Sequence, residues 1–379
     1  MLTALPASAQ SSPLLPPADY AGQDARFADA FAVLRQAISE RAFPSCAVSV
    51  LHQGKLVALK GLGRFTYEAS SPQVQAETIF DLASVSKVVV TTPMAMLLYE
   101  RGQLDLDAAV SSLLPEFAGN DPRDDDPRRD QVTVRMLLAH SSGLPAYERL
   151  FERARTREEL IRAALSMPLT AEPGTRAEYS DIGFIILGEL LSRLADEPLD
   201  RFCRREVFGP LGMARTGYCP PAPWRAQIPP TVDDRAFRSR VVQGEVHDEN
   251  ASVMGGVAGH AGVFAPAYDV ALFAHAMLNG GRPILRPDAV SLFTQRQRLP
   301  PGTSRALGWD TPSQPSQSGH FLSRSAFGHL GYTGTSLWID PENQLAVTLL
   351  TNRTWPDHNN QAIKQVRPRL HDAVVEALR

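Results

Sequence analysis

The sequence predicts an α+β fold: an antiparallel sheet flanked by helices, built from both chain ends, with a mostly helical domain inserted between them. Three observations carry this. Near the N-terminus, the β-rich runs of "SCAVSVLHQGKLVALKGLGRFT" flank "HQGK", which is a hairpin signal. Near the other end, "GHLGYTGTSLWIDPENQLAVTLLTNR" repeats the pattern of strand, turn and strand around "DPENQ". From residue 81 to about 280 the text changes to helical segments such as "IGFIILGELLSRLAD" and "AYDVALFAHAMLNGG", joined by long Pro/Gly-rich loops.

Taken in order, residues 1–23 read as a signal remnant and tether. "ASAQ" has the small-x-small pattern of a signal-peptidase site, and the Pro-rich stretch after it has no fold of its own. This implies export, to the periplasm or beyond. "DARFADAFAVLRQAISERAF" spaces its apolar residues as an amphipathic helix, and the hairpin follows. A last helical segment covers about 360–378. The expected division is residues 24–80 with 300–379 as a sheet domain and 81–299 as a helical domain, with the active site between them. Chain ends that meet in one sheet suit the tendency of termini to lie close together.

Bulk properties exclude several functions. The chain has 379 residues and a net charge of -3, without a Lys/Arg block, which argues against nucleic acid or an anionic membrane as partner. The mixed-charge run "DPRDDDPRRD" (residues 121–130) reads as a solvated loop. No apolar run approaches the roughly 20 residues of a transmembrane segment. Cys46, Cys203 and Cys219 show neither a C-x-x-C nor a zinc spacing and read as free buried thiols, with a Cys203–Cys219 pair as the alternative.

Lysine is rare: Lys55, Lys60, Lys87 and Lys364 are the only four among 38 basic residues. Lys87 stands three residues after Ser84, at the start of the helical run "ASVSKVVVTTPMAMLLYERG". Lysine gives up its proton when desolvated and arginine effectively does not, so a Ser with a Lys one turn later can form an activated nucleophile. Ser84 reads equally as a helix N-cap. A second stretch, "GTRAEYSDIGF", sets Tyr179 and Asp181 before a strongly apolar helix. There Asp181 could be the N-cap and Tyr179 a packed aromatic. The third, "FGHLGYTGTSLWID", is a Gly-rich run beside a strand that would let a substrate backbone approach.

Together these stretches resemble the serine β-lactamase and penicillin-binding-protein superfamily, in the branch similar to class C β-lactamases. That family carries Ser-x-x-Lys, Tyr-x-Asn and Lys-Thr-Gly in this order; here they read Ser84-Val85-Ser86-Lys87, Tyr179-Ser180-Asp181 and His329-Leu330-Gly331. "LLAHSSGLP" (residues 137–145) is a further landmark. The resemblance implies that Ser84 is acylated and that Lys87 helps remove its proton. It implies that Tyr179 is the base that serves the leaving group, held in its active form by Lys87. The N–H groups of Ser84 and Tyr332 would form the oxyanion hole, and Tyr147 would line the cleft. Gly331, Asp181, His329 and His260 are further candidates for substrate binding.

Two departures matter. Asp181 replaces an amide donor with a group that only accepts when ionised, and its charge would favour the protonated form of Lys87. His329-Leu330 lacks the cation and hydroxyl that hold a substrate carboxylate in the family, so penicillins should turn over poorly. The loop "GEVHDENASVMGGVAGHAGVF" (residues 244–264) is similar to one in muramyl-peptide amidases and DD-peptidase-like relatives. His247, Asp248 and His260 read there as a hydrogen-bonded loop; the spacing fits no zinc motif, and "GGVAGHAG" is no phosphate loop. The expectation is a serine hydrolase that acts through an acyl-enzyme on amide bonds of peptidoglycan fragments, without metal or cofactor. The alternatives are a carboxylesterase on the same fold and a non-catalytic binder of cell-wall fragments.

Overall fold

The computed structural model describes residues 15–118 and 126–379. The signal remnant up to residue 14, and residues 121–125 of the mixed-charge run, lie outside the described residues.

Helix α1 (Ala28–Ser39) buries Ala30, Phe31, Leu34 and Ala37, one stripe at helical spacing. Strands β1 (Ser45–His52) and β2 (Lys55–Gly63) follow. Their turn residues Gln53 and Gly54 both take positive φ, 49° and 76°, which matches the twist of a two-residue hairpin. A short strand β3 (Ile79–Asp81) leads into α2 (Thr92–Glu100), and α3 (Asp181–Ala195) is buried on nearly every side of its first half. Strands β4 (Gly217–Tyr218) and β5 (Val263–Pro266) precede α4 (Ala267–Leu278). The chain closes with β6 (Phe327–Leu330), β7 (Ser336–Asp340), β8 (Leu345–Thr351) and helix α5 (Ile363–Leu378).

The main sheet has the order β2-β1-β8-β7-β6, antiparallel throughout, so it is built from both chain ends. Its two faces feed different cores. Cys46, Val48 and Val50 of β1 join Leu345, Val347 and Leu349 of β8 under α1 and α5. The alternate residues Ala47, Leu51, Ala346 and Leu350 face the larger core that continues into the helical part. The central pair therefore alternates between two buried faces.

Four features differ from the sequence reading. The helical stretch also holds a small sheet, β3-β5-β4, whose strands are too short to stand out from loops. Helix α4, inside that stretch, packs on β1 and β8, and Ser49 Oγ donates to its Ala267 carbonyl at 3.1 Å. The chain thus returns to the sheet before residue 299. In the mixed-charge run, Arg129 is buried rather than solvated: its guanidinium donates to the carbonyls of Phe117, Leu165 and Met167. The three cysteines are free, and Cys219 is exposed rather than buried. No helix among the described residues is long and apolar enough to cross a membrane.

Candidate active site

Ser84 sits in a 3-10 turn (Ala83–Val85) that runs through a π-helical turn (Lys87–Thr91) into α2. The turn is entered under strain. Ala83 has φ +46°, in the left-handed region where a side chain costs roughly 1–2 kcal/mol. Asp81 holds it there: one carboxylate oxygen accepts from Ala83 N–H at 2.8 Å and the other from His247 N–H at 2.7 Å. Burial pushes the Asp81 carboxyl up to about 6, against those two hydrogen bonds. One buried side chain therefore ties the Ser84 turn to the 244–264 loop.

Lys87 lies beneath Ser84, 0% exposed, and all three N–H groups are used. They point to Ser84 Oγ at 3.0 Å, Asp181 Oδ1 at 2.6 Å and the His260 carbonyl at 2.9 Å. None remains for the Tyr179 hydroxyl, so Lys87 meets Tyr179 through the ring face, 4.9 Å from its centroid. Burial lowers the Lys87 pKa and the Asp181 charge raises it; burial wins, so the anion only partly offsets it.

Tyr179 Oη lies 2.7 Å from Ser84 Oγ and 3.2 Å from Asp181 Oδ1. Burial first, and then the Asp181 charge, push its pKa well above 10, so the resting group is a phenol. Asp181 is not the N-cap of α3. Ser180 fills that place: its Oγ accepts from Gly183 N–H at 3.0 Å and donates to the Pro145 carbonyl at 2.7 Å. The Asp181 side chain is left to the site.

The His260 carbonyl reaches Lys87 because α3 and the Gly-rich loop approach backbone to backbone. A Cβ on Gly188 would lie 2.8 Å from Gly259 Cα, and one on Gly259 would lie 2.2 Å from the Phe184 carbonyl oxygen. That packing accounts for Gly259 of "GGVAGHAG". The His260 side chain is 1% exposed and bonds Asp248 at 2.8 Å; Asp248 lines the cleft and His260 does not. This corrects the expectation that it binds substrate: its ring is buried and only its carbonyl serves the site. Among the described residues no group of three or more His, Cys, Asp or Glu side chains could hold a metal ion.

The third motif forms the opposite wall. The turn after β6 is pinned by two hydroxyls, Thr333 to the Asp81 carbonyl at 2.9 Å and Thr335 to the Leu82 carbonyl at 3.0 Å. Neither Ser84 N–H nor Tyr332 N–H donates to a protein atom among the described residues. Gly331 is required by the protein's own packing, since a Cβ there would meet Thr335 Oγ1 at 1.8 Å and the Leu82 carbonyl oxygen at 2.7 Å. His329 is buried, with Nδ1 2.8 Å from the Leu330 carbonyl oxygen. Burial and the nearby Lys87 and Arg305 charges hold its pKa well below 6.5, so it is no cation.

Ser84, Tyr147, Tyr179, Asp181, His329, Gly331 and Tyr332 share one cleft of about 780 Å³. Tyr147 and Tyr332 stand 41% and 49% exposed in it, two of the few large apolar side chains so presented. Three contributors were missed from sequence. His140, in "LLAHSSGLP", accepts from Ser180 N–H at 3.0 Å and stacks between Tyr179 and Phe184; its landmark was the available signal. Arg367 of α5 donates to the carbonyls of Gly331, Gly334 and Thr335 and so clamps the turn. Arg305 lies 5.5 Å from the Tyr179 ring centroid. Neither arginine has a local sequence signal.

A family model described as Beta-lactamase matches residues 29–368. The chain belongs to the beta-lactamase family. It is 33% identical over 344 residues to an "N-acetylmuramyl-L-alanine amidase" of Bacillus subtilis (strain 168), covering 82% of this chain and 77% of that one. It is 30% identical over 362 residues to a "Putative D-alanyl-D-alanine carboxypeptidase" of Salmonella agona, covering 86% and 82%. Among solved structures, EstCE1, "a hydrolase with promiscuous acyltransferase activity", superposes with a TM-score of 0.75 at 24% identity, over 93% of this chain and 100% of that one. A class C beta lactamase from Rhodobacter sphaeroides gives 0.71 at 21%, over 93% and 99%. These two establish the fold. Family and relatives make the chain a serine hydrolase.

Proposed function

We propose that the chain hydrolyses amide bonds of peptidoglycan fragments through an acyl-enzyme on Ser84. The observation that carries this is the closed set at the cleft floor: Ser84 Oγ within hydrogen-bond reach of both Lys87 and Tyr179, with Asp181 touching both partners. With Lys87 protonated, its three N–H groups are committed. At rest the Tyr179 hydroxyl donates to Ser84 Oγ at 2.7 Å; turned onto Asp181 Oδ1, 3.2 Å away, it frees Tyr179 Oη to accept from the Ser84 hydroxyl. As Ser84 Oγ bonds the substrate carbonyl carbon, its proton moves to Tyr179 while the Tyr179 proton moves to Asp181. No free phenolate forms, which suits a phenol held far above pH 7.

The carbonyl oxygen becomes an anion facing the Ser84 and Tyr332 N–H groups, the assigned oxyanion hole. Collapse breaks the C–N bond, and the departing amine takes the proton back from Tyr179, refilled from Asp181. Water then attacks the ester through the same chain and frees Ser84. The relatives' names supply the substrate class, and a cleft of about 780 Å³ suits a fragment rather than a polymer. The same reading puts the chain where such fragments occur, in the periplasm or outside the cell.

The test is amine release from N-acetylmuramyl-L-alanine and acyl-D-alanyl-D-alanine, with penicillin and short-chain esters alongside. Turnover of one of the amides, lost by several orders of magnitude in Ser84→Ala, is expected. Penicillin turnover should be slow, because position 329 offers a neutral imidazole. Cleavage of esters with no muramyl peptide or D-alanyl peptide cleaved would replace this reading by a carboxylesterase.

A further inference from the structure

The loop over residues 244–264 reaches the cleft with His247 and Asp248, and the proton chain on Ser84 uses neither side chain. Asp248 is held by one oxygen. Its Oδ1 accepts from Ala251 N–H at 2.7 Å, in the short helix Glu249–Val253, and from His260 Nε2 at 2.8 Å. Its Oδ2 has no hydrogen-bond partner among the described residues, and the side chain is 20% exposed. His247 lines the same cleft, 7% exposed, and its Nε2 has no partner among the described residues either.

The backbone beneath this pair is fixed. The buried Arg238 guanidinium donates to the carbonyls of Val246, His247 and Asp248. The His247 N–H is the one that Asp81 ties to the Ser84 turn. Asn250, fully buried, fastens a second segment here: its Nδ2 donates to the Glu148 carbonyl and its Oδ1 accepts from Phe151 N–H, each at 2.9 Å. That sets Tyr147 beside Asp248. Burial first, and then the charges of Asp248 and Glu249, raise the pKa of the Tyr147 hydroxyl. Tyr332 closes the other side, its ring 5.5 Å from that of His247.

Two exposed tyrosines around a rigid carboxylate with a free oxygen suit one class of ligand. A pyranose offers C–H faces to aromatic rings, and hydroxyls that donate to a carboxylate in short, charge-assisted bonds. A hydroxyl also supplies the partner that the His247 nitrogen lacks. An ammonium group fits less well, because Arg353 already stands over the Tyr332 ring at 4.6 Å and Arg149 lines the same cleft. Tyr179, which serves the departing amine in the reading above, packs on His140 and His329. The patch adjoins Tyr147 and Tyr332 instead, which leaves it to the acyl group. We propose that Tyr147, Tyr332, His247 and Asp248 form a subsite for a sugar ring carried by the acyl group. The inference rests on the proposed amide hydrolysis and narrows it. The preferred substrates are amides of a muramyl group, and acyl-D-alanyl-D-alanine, which has no sugar, is the poorer ligand.

The test uses the full chain with Ser84→Ala, so that nothing turns over. Calorimetric titration compares N-acetylmuramyl-L-alanine with lactyl-L-alanine, which keeps the scissile amide and the carboxylate and lacks the sugar. The muramyl compound should bind about 10- to 100-fold more tightly. Adding Tyr147→Ala removes one aromatic wall. Adding Asp248→Asn keeps Oδ1 for Ala251 and His260 and replaces the free oxygen. Each should cut the preference by about tenfold, with unfolding midpoints confirming that the variants are folded. Equal binding of the two compounds, no binding of the muramyl compound, or a preference that survives either variant overturns the inference. Hydrolysis by the protein with Ser84 intact, measured separately, decides the broader reading. Amide turnover without a sugar preference sinks the subsite alone, and a sugar preference without amide turnover sinks the hydrolysis alone.

Discussion

At the residue scale the decisive position is Asp181, where the Tyr-x-Asn motif that the sequence resembles has an amide. It touches Lys87 and Tyr179 at once, accepting from one and facing the hydroxyl of the other. Asp181→Asn should lower kcat/KM by about 100-fold or more, the usual scale of a lost proton acceptor. It should also move the pH profile in a definite direction. In the proposed mechanism Lys87 works protonated, so activity should fall as pH rises through its pKa, which burial already holds below 10.5. The Asp181 charge pulls that pKa up. Removing it leaves burial unopposed, so the alkaline limb of the residual activity should shift to lower pH. A limb that stays put or moves up would show that Lys87 does not act as an ammonium. Ser84 and Lys87 were legible because they lie three residues apart on one turn. His140, Arg305 and Arg367 were not, because each reaches the site from a distant segment and only the fold assembles them.

At the element scale the turn proposed as the oxyanion hole is braced by a helix at the end of the chain, α5. Arg367, the buried cation of α5, bonds the carbonyls of Gly331, Gly334 and Thr335, and burial lowers its pKa to about 9. Arg367→Met would leave the Gly334 carbonyl without its donor and take the second donor from the Gly331 and Thr335 carbonyls, at about 1–3 kcal/mol of stability. The Tyr332 N–H would lose its support, so kcat should fall roughly 100-fold with KM little changed. Denaturant midpoints and steady-state rates on one preparation check both; a change in KM alone would place Arg367 in substrate binding. Both hairpins of the sheet were readable, since "HQGK" and "DPENQ" punctuate long apolar runs. The small sheet was not: its strands of two to four residues carry no periodicity. The 244–264 loop read correctly as hydrogen-bonded, but its backbone contact with Lys87 depends on a close approach to α3 that no local pattern encodes.

At the scale of the whole molecule the site exists only where distant parts of the chain meet. Ser84 and Tyr179 are 95 residues apart, Lys87 and His260 173 apart, and Thr335 and Leu82 253 apart. The two-ended sheet carries the turn proposed as the oxyanion hole, and the helical part carries the proposed nucleophile and its proton chain. The central claim is that this assembly activates Ser84. Labelling with a fluorophosphonate, followed by peptide mass mapping, tests it most directly. One label per chain on Ser84 is expected, absent in Ser84→Ala although that variant folds with an unchanged unfolding midpoint. A label on Ser141 or Ser180, both buried and the latter capping α3, or a label that persists in Ser84→Ala, would contradict the account.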